Sequence, residues 1–186
     1  MKKIVLLLVL FSTNLSQAQF IKEKSINAMI GYGLSSPHES EGDISNQGVF
    51  LQAEYVMKAA SWIDFRPYLG FIYTSSNGKD IDENPTYEKA ETTAVLLGGK
   101  ARILAPIPYV APYIELGIGA SIGKFVTYTA FTDIDKTGVF FHVPFSFGLA
   151  LGRTHNVDLG FTYYFQPSVE QTSGAVAVGL SFPLKS

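Results

Sequence analysis

At 186 residues, with a formal net charge of −2 and no cysteine, the chain is long enough for one domain with a sizeable core. The absence of thiols excludes a disulfide framework, a thiolate metal centre and a lipid-modified N-terminal Cys. Near-neutral charge removes the electrostatic basis for nucleic-acid binding.

The chain opens MKKIVLLLVLFSTNLSQAQF. Lys2 and Lys3 form a basic start, residues 4–11 an apolar stretch, and Ser16-Gln17-Ala18 a small-x-small cleavage site. That order predicts a Sec signal peptide over residues 1–18, with residues 19–186 as one mature domain. The apolar run is far short of the ~20 residues that a membrane-spanning helix takes, and no later segment reaches that length. The intact mass of membrane-purified protein is expected to correspond to a chain starting at Gln19. A mass that retains residues 1–18 would remove the argument for export.

From residue 25 onward the sequence alternates with a period of two, which sorts side chains onto opposite faces of a strand. Ile26, Ala28, Ile30, Tyr32 and Leu34 oppose Ser25, Asn27, Met29, Gly31 and Gly33; Val49, Leu51, Ala53, Tyr55 and Met57 oppose Phe50, Gln52, Glu54, Val56 and Lys58. Phe65, Pro67, Leu69, Phe71 and Tyr73 then alternate with Arg66, Tyr68, Gly70, Ile72 and Thr74, and Val95, Leu97 and Ile103 with Leu96, Lys100 and Arg102. The fifth segment sets Ile114, Leu116, Ile118 and Ile122 against Glu115, Gly117, Gly119 and Ser121. The sixth, VFFHVPFSFGLALG, sets Val139, Phe141, Val143, Phe145, Phe147, Leu149 and Leu151 against Phe140, His142, Pro144, Ser146, Gly148, Ala150 and Gly152. Leu159, Phe161, Tyr163 and Phe165 alternate with Asp158, Gly160, Thr162 and Tyr164, and Val176, Val178, Leu180 and Phe182 with Ala175, Ala177, Gly179 and Ser181.

One face of these eight segments is apolar and uncharged; the other carries Glu54, Lys58, Arg66, Lys100, Arg102, Glu115 and Asp158 among glycines and small residues. A soluble lipocalin-like binder would place the apolar set inside and charges outside. Here the charges share a face with the glycines, which predicts an inverted barrel whose apolar face meets lipid. Closure is required, because an open sheet would leave edge N–H and C=O groups unpaired in hydrocarbon. Residues 59–63, 104–109 and 153–156 read as tight turns, and 35–47, 75–89, 128–138 and 169–174 as longer polar loops. Barrels of this kind keep short turns in the periplasm and long loops outside. Pro144 lies mid-strand, where the missing donor predicts a bulge. Lys124, on the outward parity, is expected at headgroup level.

The signal peptide, the eight alternating segments, the three tight turns and PYIELGIGASIG at 112–123 resemble the small eight-stranded outer-membrane β-barrel family, the OmpA/OmpX-like group. The resemblance covers the whole mature chain. It implies an all-β, eight-stranded, antiparallel up-and-down transmembrane β-barrel in the outer membrane. Its partners would be outer-membrane lipid, lipopolysaccharide and the barrel-assembly machinery, and it would be monomeric with no cofactor. The C-terminal segment departs from many such barrels by continuing past Phe182 to Ser186.

The inward charges admit two readings, a plug of ion pairs and a selectivity ring. An eight-stranded barrel is only wide enough for side chains to fill, which favours the plug. Glu54, Arg66, Lys100 and Glu115 are expected at comparable heights, with Lys100 or Arg66 as the partner of Glu115. Alternatives are a narrow channel, an envelope-assembly accessory and a rim acyltransferase built on His38, Ser75, Ser76 and Asp80. His142 and His155 read as filler or turn residues, with no His or Cys nearby in sequence. The acidic stretch DIDEN at 80–84 offers oxygen ligands for a divalent ion but lacks the glycine and distant glutamate of an EF-hand, which favours a solvated loop.

Overall fold

A computed structural model describes residues 21–39 and 45–184. The segment 1–18, Gln19, Glu41, Asp43, Lys185 and Ser186 lie outside the described residues. The alternating segments form β1 (Glu23–Pro37), β2 (Asn46–Ala60), β3 (Ile63–Ser75), β4 (Lys89–Leu104), β5 (Tyr109–Tyr128), β6 (Asp133–Gly152), β7 (Val157–Gln166) and β8 (Gln171–Pro183). Each strand pairs antiparallel with the next, and β8 returns to β1, closing a barrel in sequential order. The seam runs from Ser25↔Pro183 to Pro37↔Gln171.

Parity holds on every strand. Leu97, Leu116, Phe145 and Leu180 project outward and are exposed, as are Tyr32, Tyr73, Phe165 and Phe182; Phe65, on the same face, is half-buried. The inner face is buried and mixed. At the short-turn end it carries the charges. Toward the long-loop end Phe50, Ile72, Leu96, Phe125, Tyr164 and Val169 pack into an apolar cluster.

Three expectations need correction. The third outer connection is not a loop over 128–138, because β5 and β6 are both 20 residues long and stay paired up to Tyr128↔Asp133. The fourth is likewise tight: Pro167–Val169 forms a 3₁₀ turn that buries Val169. Nor does Pro144 sit in a bulge. The β5–β6 ladder skips the pairs opposite Val143 and Pro144 and resumes at Leu116↔Phe145 in the same register. The missing proline donor is absorbed by lost pairing rather than by an inserted residue. Lys124 projects outward as expected, but its ammonium is held 3.1 Å from Asp135 of the neighbouring strand.

Candidate functional site: the interior charge ring

Register and side-chain length determine which inward charges meet. Lys100 on β4 lies between two carboxylates, its Nζ 2.6 Å from Glu54 on β2 and 2.6 Å from Glu115 on β5. Glu54 also takes Arg66 Nη1 at 2.9 Å, while Glu115 takes Arg102 Nε at 2.6 Å. Asp158 reaches in from β7 on the far wall, 3.0 Å from Arg102 Nη1 and 3.4 Å from Arg66 Nη1. The order Arg66, Glu54, Lys100, Glu115, Arg102, Asp158 and back to Arg66 is thus a closed ring of alternating sign across the lumen.

Six of the seven charges named from sequence lie in this ring, and Lys58 does not. Lys58 stands at the mouth, paired with Glu23 at 2.8 Å with its side chain 38% exposed. It lies where the β2–β3 register shifts, between Lys58 and Ala60, at the end of the ladder. Asp64 takes its place, holding Arg66 through Nε at 2.6 Å and Nη2 at 3.2 Å. Asp64 lies one residue before the segment that parity marked, on the inward side. Among the described residues the buried cluster therefore holds three cations, Arg66, Lys100 and Arg102, against four carboxylates, Glu54, Asp64, Glu115 and Asp158. The expected pairing of Glu115 with Lys100 is present; Arg66 is 3.9 Å away, and Arg102 is the second close partner.

Neutral groups complete the ring. Asn27 Nδ2 donates to Asp158 at 2.9 Å, Gln52 Nε2 to Glu54 at 2.7 Å, and Tyr164 Oη to Gln52 Oε1 at 2.6 Å. The Arg102 guanidinium lies 3.6 Å from the centre of the Tyr113 ring, a cation–π contact. Tyr113 in turn fills the space above inward Gly148 and Gly160, where a Cβ would collide with its ring. With cations and carboxylates this closely matched, the desolvation of each charge is offset by direct partners rather than water.

Above the ring a second, neutral layer continues. His142 is fully buried, with Nε2 2.5 Å from Tyr68 Oη and Nδ1 2.7 Å from Ser121 Oγ. Gln166 donates to Ser121 at 2.9 Å and accepts from Ser173, which meets Thr92; Gln171 joins Thr92 to Thr127. Both ring nitrogens of His142 are thus engaged by hydroxyls, a filling role. His155 has a turn role: its Nε2 lies 2.9 Å from the Ile107 carbonyl, tying two short turns together.

Below the ring, the short-turn mouth opens into a vestibule of about 1080 Å³ whose inner end is formed by Asp64, Arg66 and Arg102. Glu54, Lys100 and Glu115 do not line it.

The rim residues weighed for acyl transfer do not converge. His38 stacks on Phe165 of β7 with ring centroids 5.4 Å apart. Ser76 Oγ accepts from Gly78 N at 3.1 Å, and the Asp80 carboxylate accepts from Asn84 N at 2.8 Å and from its side-chain amide at 3.2 Å. Ser75 ends β3. In the DIDEN stretch, then, the Asp80 oxygens cap their own turn.

No family profile matches the sequence, and no curated protein matches it. Solved structures do match in fold. Neisserial surface protein A superposes with a TM-score of 0.58 at 14% identity, over 87% of this chain and 97% of that one. The N-terminal β-barrel domain of Pseudomonas aeruginosa OprF matches with a TM-score of 0.50 at 10% identity, over 87% of this chain and 100% of that domain. The fold is that of the small eight-stranded outer-membrane barrels, as the alternation implied.

Proposed function

We propose that the protein is a monomeric, non-enzymatic outer-membrane barrel that conducts no ions and acts as a structural or surface-interaction protein through its long-loop end. The observation that carries this reading is the buried ring of alternating charges, which fills the lumen of a barrel whose outer wall is apolar across the middle of every strand. An apolar wall with buried charges is stable where the surroundings are hydrocarbon and not where they are water. Insertion would depend on the barrel-assembly machinery, and the outer rim would meet lipopolysaccharide. The two longer connections, 38–45 and 76–88, would face outward and both termini the periplasm. Tyr87, 92% exposed in the second of these loops, is the most prominent handle on that side.

The absence of native cysteine makes the orientation directly testable. A cysteine at Tyr87 is expected to react with a membrane-impermeant maleimide on intact cells, and one at Ser61, in a short turn, only after the outer membrane is opened. The reverse pattern would invert the topology. Equal reaction of both in a detergent-free soluble fraction would end the membrane reading.

A further inference from the structure

The inward glycines beside the ring make room for neighbours inside the barrel: a Cβ on Gly98 or Gly119 would meet Tyr68, and one on Gly148 or Gly160 would meet Tyr113. Gly99 has no such reason. It lies on the outward side of β4 between Leu97 and Ala101, a Cβ there would meet nothing within 4 Å, and its φ is not positive. A glycine inside a strand weakens it, and marks a bulge, a bend or a place where a ligand comes close. Both ladders run through Gly99 without a shift, opposite Pro67 on one side and Ile118 on the other, which removes the bulge.

The missing side chain opens a slot of about 420 Å³ in the outer wall. Gly99 and Ala101 form its floor on β4, with Phe65 and Pro67 beside them on β3 and Leu116 and Ile118 on β5. Arg66 and Lys100 also border it, but their side chains are buried in the ring, so a layer of backbone separates the slot from the charges. Leu69, Leu97 and Ile103 are exposed around it on the same apolar wall, so the slot opens onto hydrocarbon. A lipid tail gains nothing hydrophobically by leaving bulk lipid for this wall; what it gains is packing. An empty slot leaves its lining without partner atoms. Across β4, β3 and β5 stand about 10 Å apart, twice the strand spacing, which leaves room between their side chains for one extended hydrocarbon chain.

The depth of the slot identifies the leaflet. Gly99 lies five residues from Leu104, where β4 ends at the short-turn rim; that is about 17 Å along the strand and about 13 Å in depth at the tilt usual for such barrels. Leu104 N bonds the carbonyl of Trp62, in the short β2–β3 turn, at 2.9 Å. Trp62, the single tryptophan of the chain, is half exposed and does not line the vestibule, and tryptophan at a strand end marks headgroup level. A chain whose headgroup sits beside Trp62 therefore reaches Gly99 within its own leaflet.

We propose that the slot at Gly99 and Ala101 is a binding site for one acyl chain of a phospholipid from the short-turn leaflet, with its headgroup beside Trp62. The inference goes beyond the loop-mediated role and rests on the proposed function only for hydrocarbon at this wall.

Photocrosslinking of the folded barrel in vesicles of palmitoyl-oleoyl phosphatidylethanolamine and phosphatidylglycerol tests the proposal. The probe is a trace of phosphatidylethanolamine with a diazirine midway along one chain, and adducts are located by peptide mass spectrometry. Adducts at Pro67, Gly99 and Ala101 are expected to exceed those at Phe161 and Val178, on the opposite wall, by about fivefold, a modest preference because bulk tails are equally apolar. Moving the diazirine next to the ester should shift them toward Ile103 and Trp62. Gly99→Leu fills the slot from a position whose Cβ meets no other atom, and should lower adducts at Pro67 and Ala101 to the level of the opposite wall. Adducts spread evenly around the wild-type wall would overturn the proposal whether or not the variant folds, and so would adducts unchanged by Gly99→Leu. A shift toward Val95 as the diazirine approaches the ester would assign the chain to the other leaflet and overturn it. Slot adducts that fall as the protein-to-lipid ratio rises would assign the slot to a second copy and overturn it too. An even spread leaves the membrane reading intact, whereas a lack of adducts anywhere on the outer wall would contradict that reading itself.

Discussion

Lys100→Met is expected to lower the unfolding stability of the barrel by about 3–5 kcal/mol, the usual consequence of leaving buried charges without their partner. Lys100 lies 2.6 Å from both Glu54 and Glu115, whereas Arg66 reaches Glu54 at 2.9 Å but Glu115 only at 3.9 Å, and the cluster already holds one carboxylate more than it has cations. Loss of the ammonium raises that excess to two. Glu115→Leu alone is expected to cost less. Each cation it affects keeps a carboxylate, Lys100 on Glu54 and Arg102 on Asp158. Combining Lys100→Met with Glu115→Leu restores the original imbalance and leaves Arg66 on Glu54 and Arg102 on Asp158. The double variant should therefore be more stable than Lys100→Met by itself, since apolar replacement of a matched pair can be nearly neutral. Denaturant unfolding of all three in one lipid or micelle system measures the coupling. A double variant as unstable as the sum of the singles would show that the two residues act independently.

Leu116→Arg should destabilise the protein by about 2–4 kcal/mol in phospholipid vesicles, the cost of arginine on the lipid face near the bilayer midplane. Leu116 is 60% exposed on the outer wall, and Leu97, Phe145 and Leu180 share the same apolar face. Tyr87→Arg, in the long loop, should change stability negligibly. Unfolding from vesicles measures both, and tolerance of arginine at Leu116, Leu97, Phe145 and Leu180 alike would contradict lipid contact along this wall.

Parity alone identified all eight strands because burial in a barrel wall has a strict period of two, and nothing in the interior breaks that period. It could not supply register. Arg102 stands directly opposite Glu115 and Arg66 opposite Lys100, pairings that depend on how far each strand slides past the next. Parity therefore offers Lys100 or Arg66, and not Arg102, as the partner of Glu115. Segment ends were the second weakness. Asp64 falls between the turn at 59–63 and the segment that starts at Phe65, and Lys58 is grouped by parity with the interior charges, although the ladder ends just beyond the Lys58↔Asp64 pair in a register shift. The β5–β6 extension is hidden by its composition: Thr129, Asp133, Asp135 and Lys136 read as loop, yet cross-strand pairing holds most of residues 128–138 in strand. The sequence places glycines on the inner face but does not say what fills the space beside them. Gly119 admits Tyr68 and His142, and Gly148 and Gly160 admit Tyr113, neutral rings beside the charges rather than the charges themselves.

The neutral layer and the vestibule assign the two ends of the barrel different characters. From the short-turn side, water has a route as far as Asp64, Arg66 and Arg102. Beyond that point the lumen is occupied by the ring, then by Tyr164, Gln52 and the His142 network, with the 3₁₀ turn tucked beneath the β5–β6 hairpin. An ion crossing the barrel would have to open two successive layers of bonded side chains.

Conductance of the folded wild-type protein in planar bilayers tests this closure most directly. The ring and the layer above it predict no steady current at any polarity. Well-resolved, long-lived channels whose ion selectivity changes with Glu115→Leu would contradict the plug and make the same ring a selectivity filter.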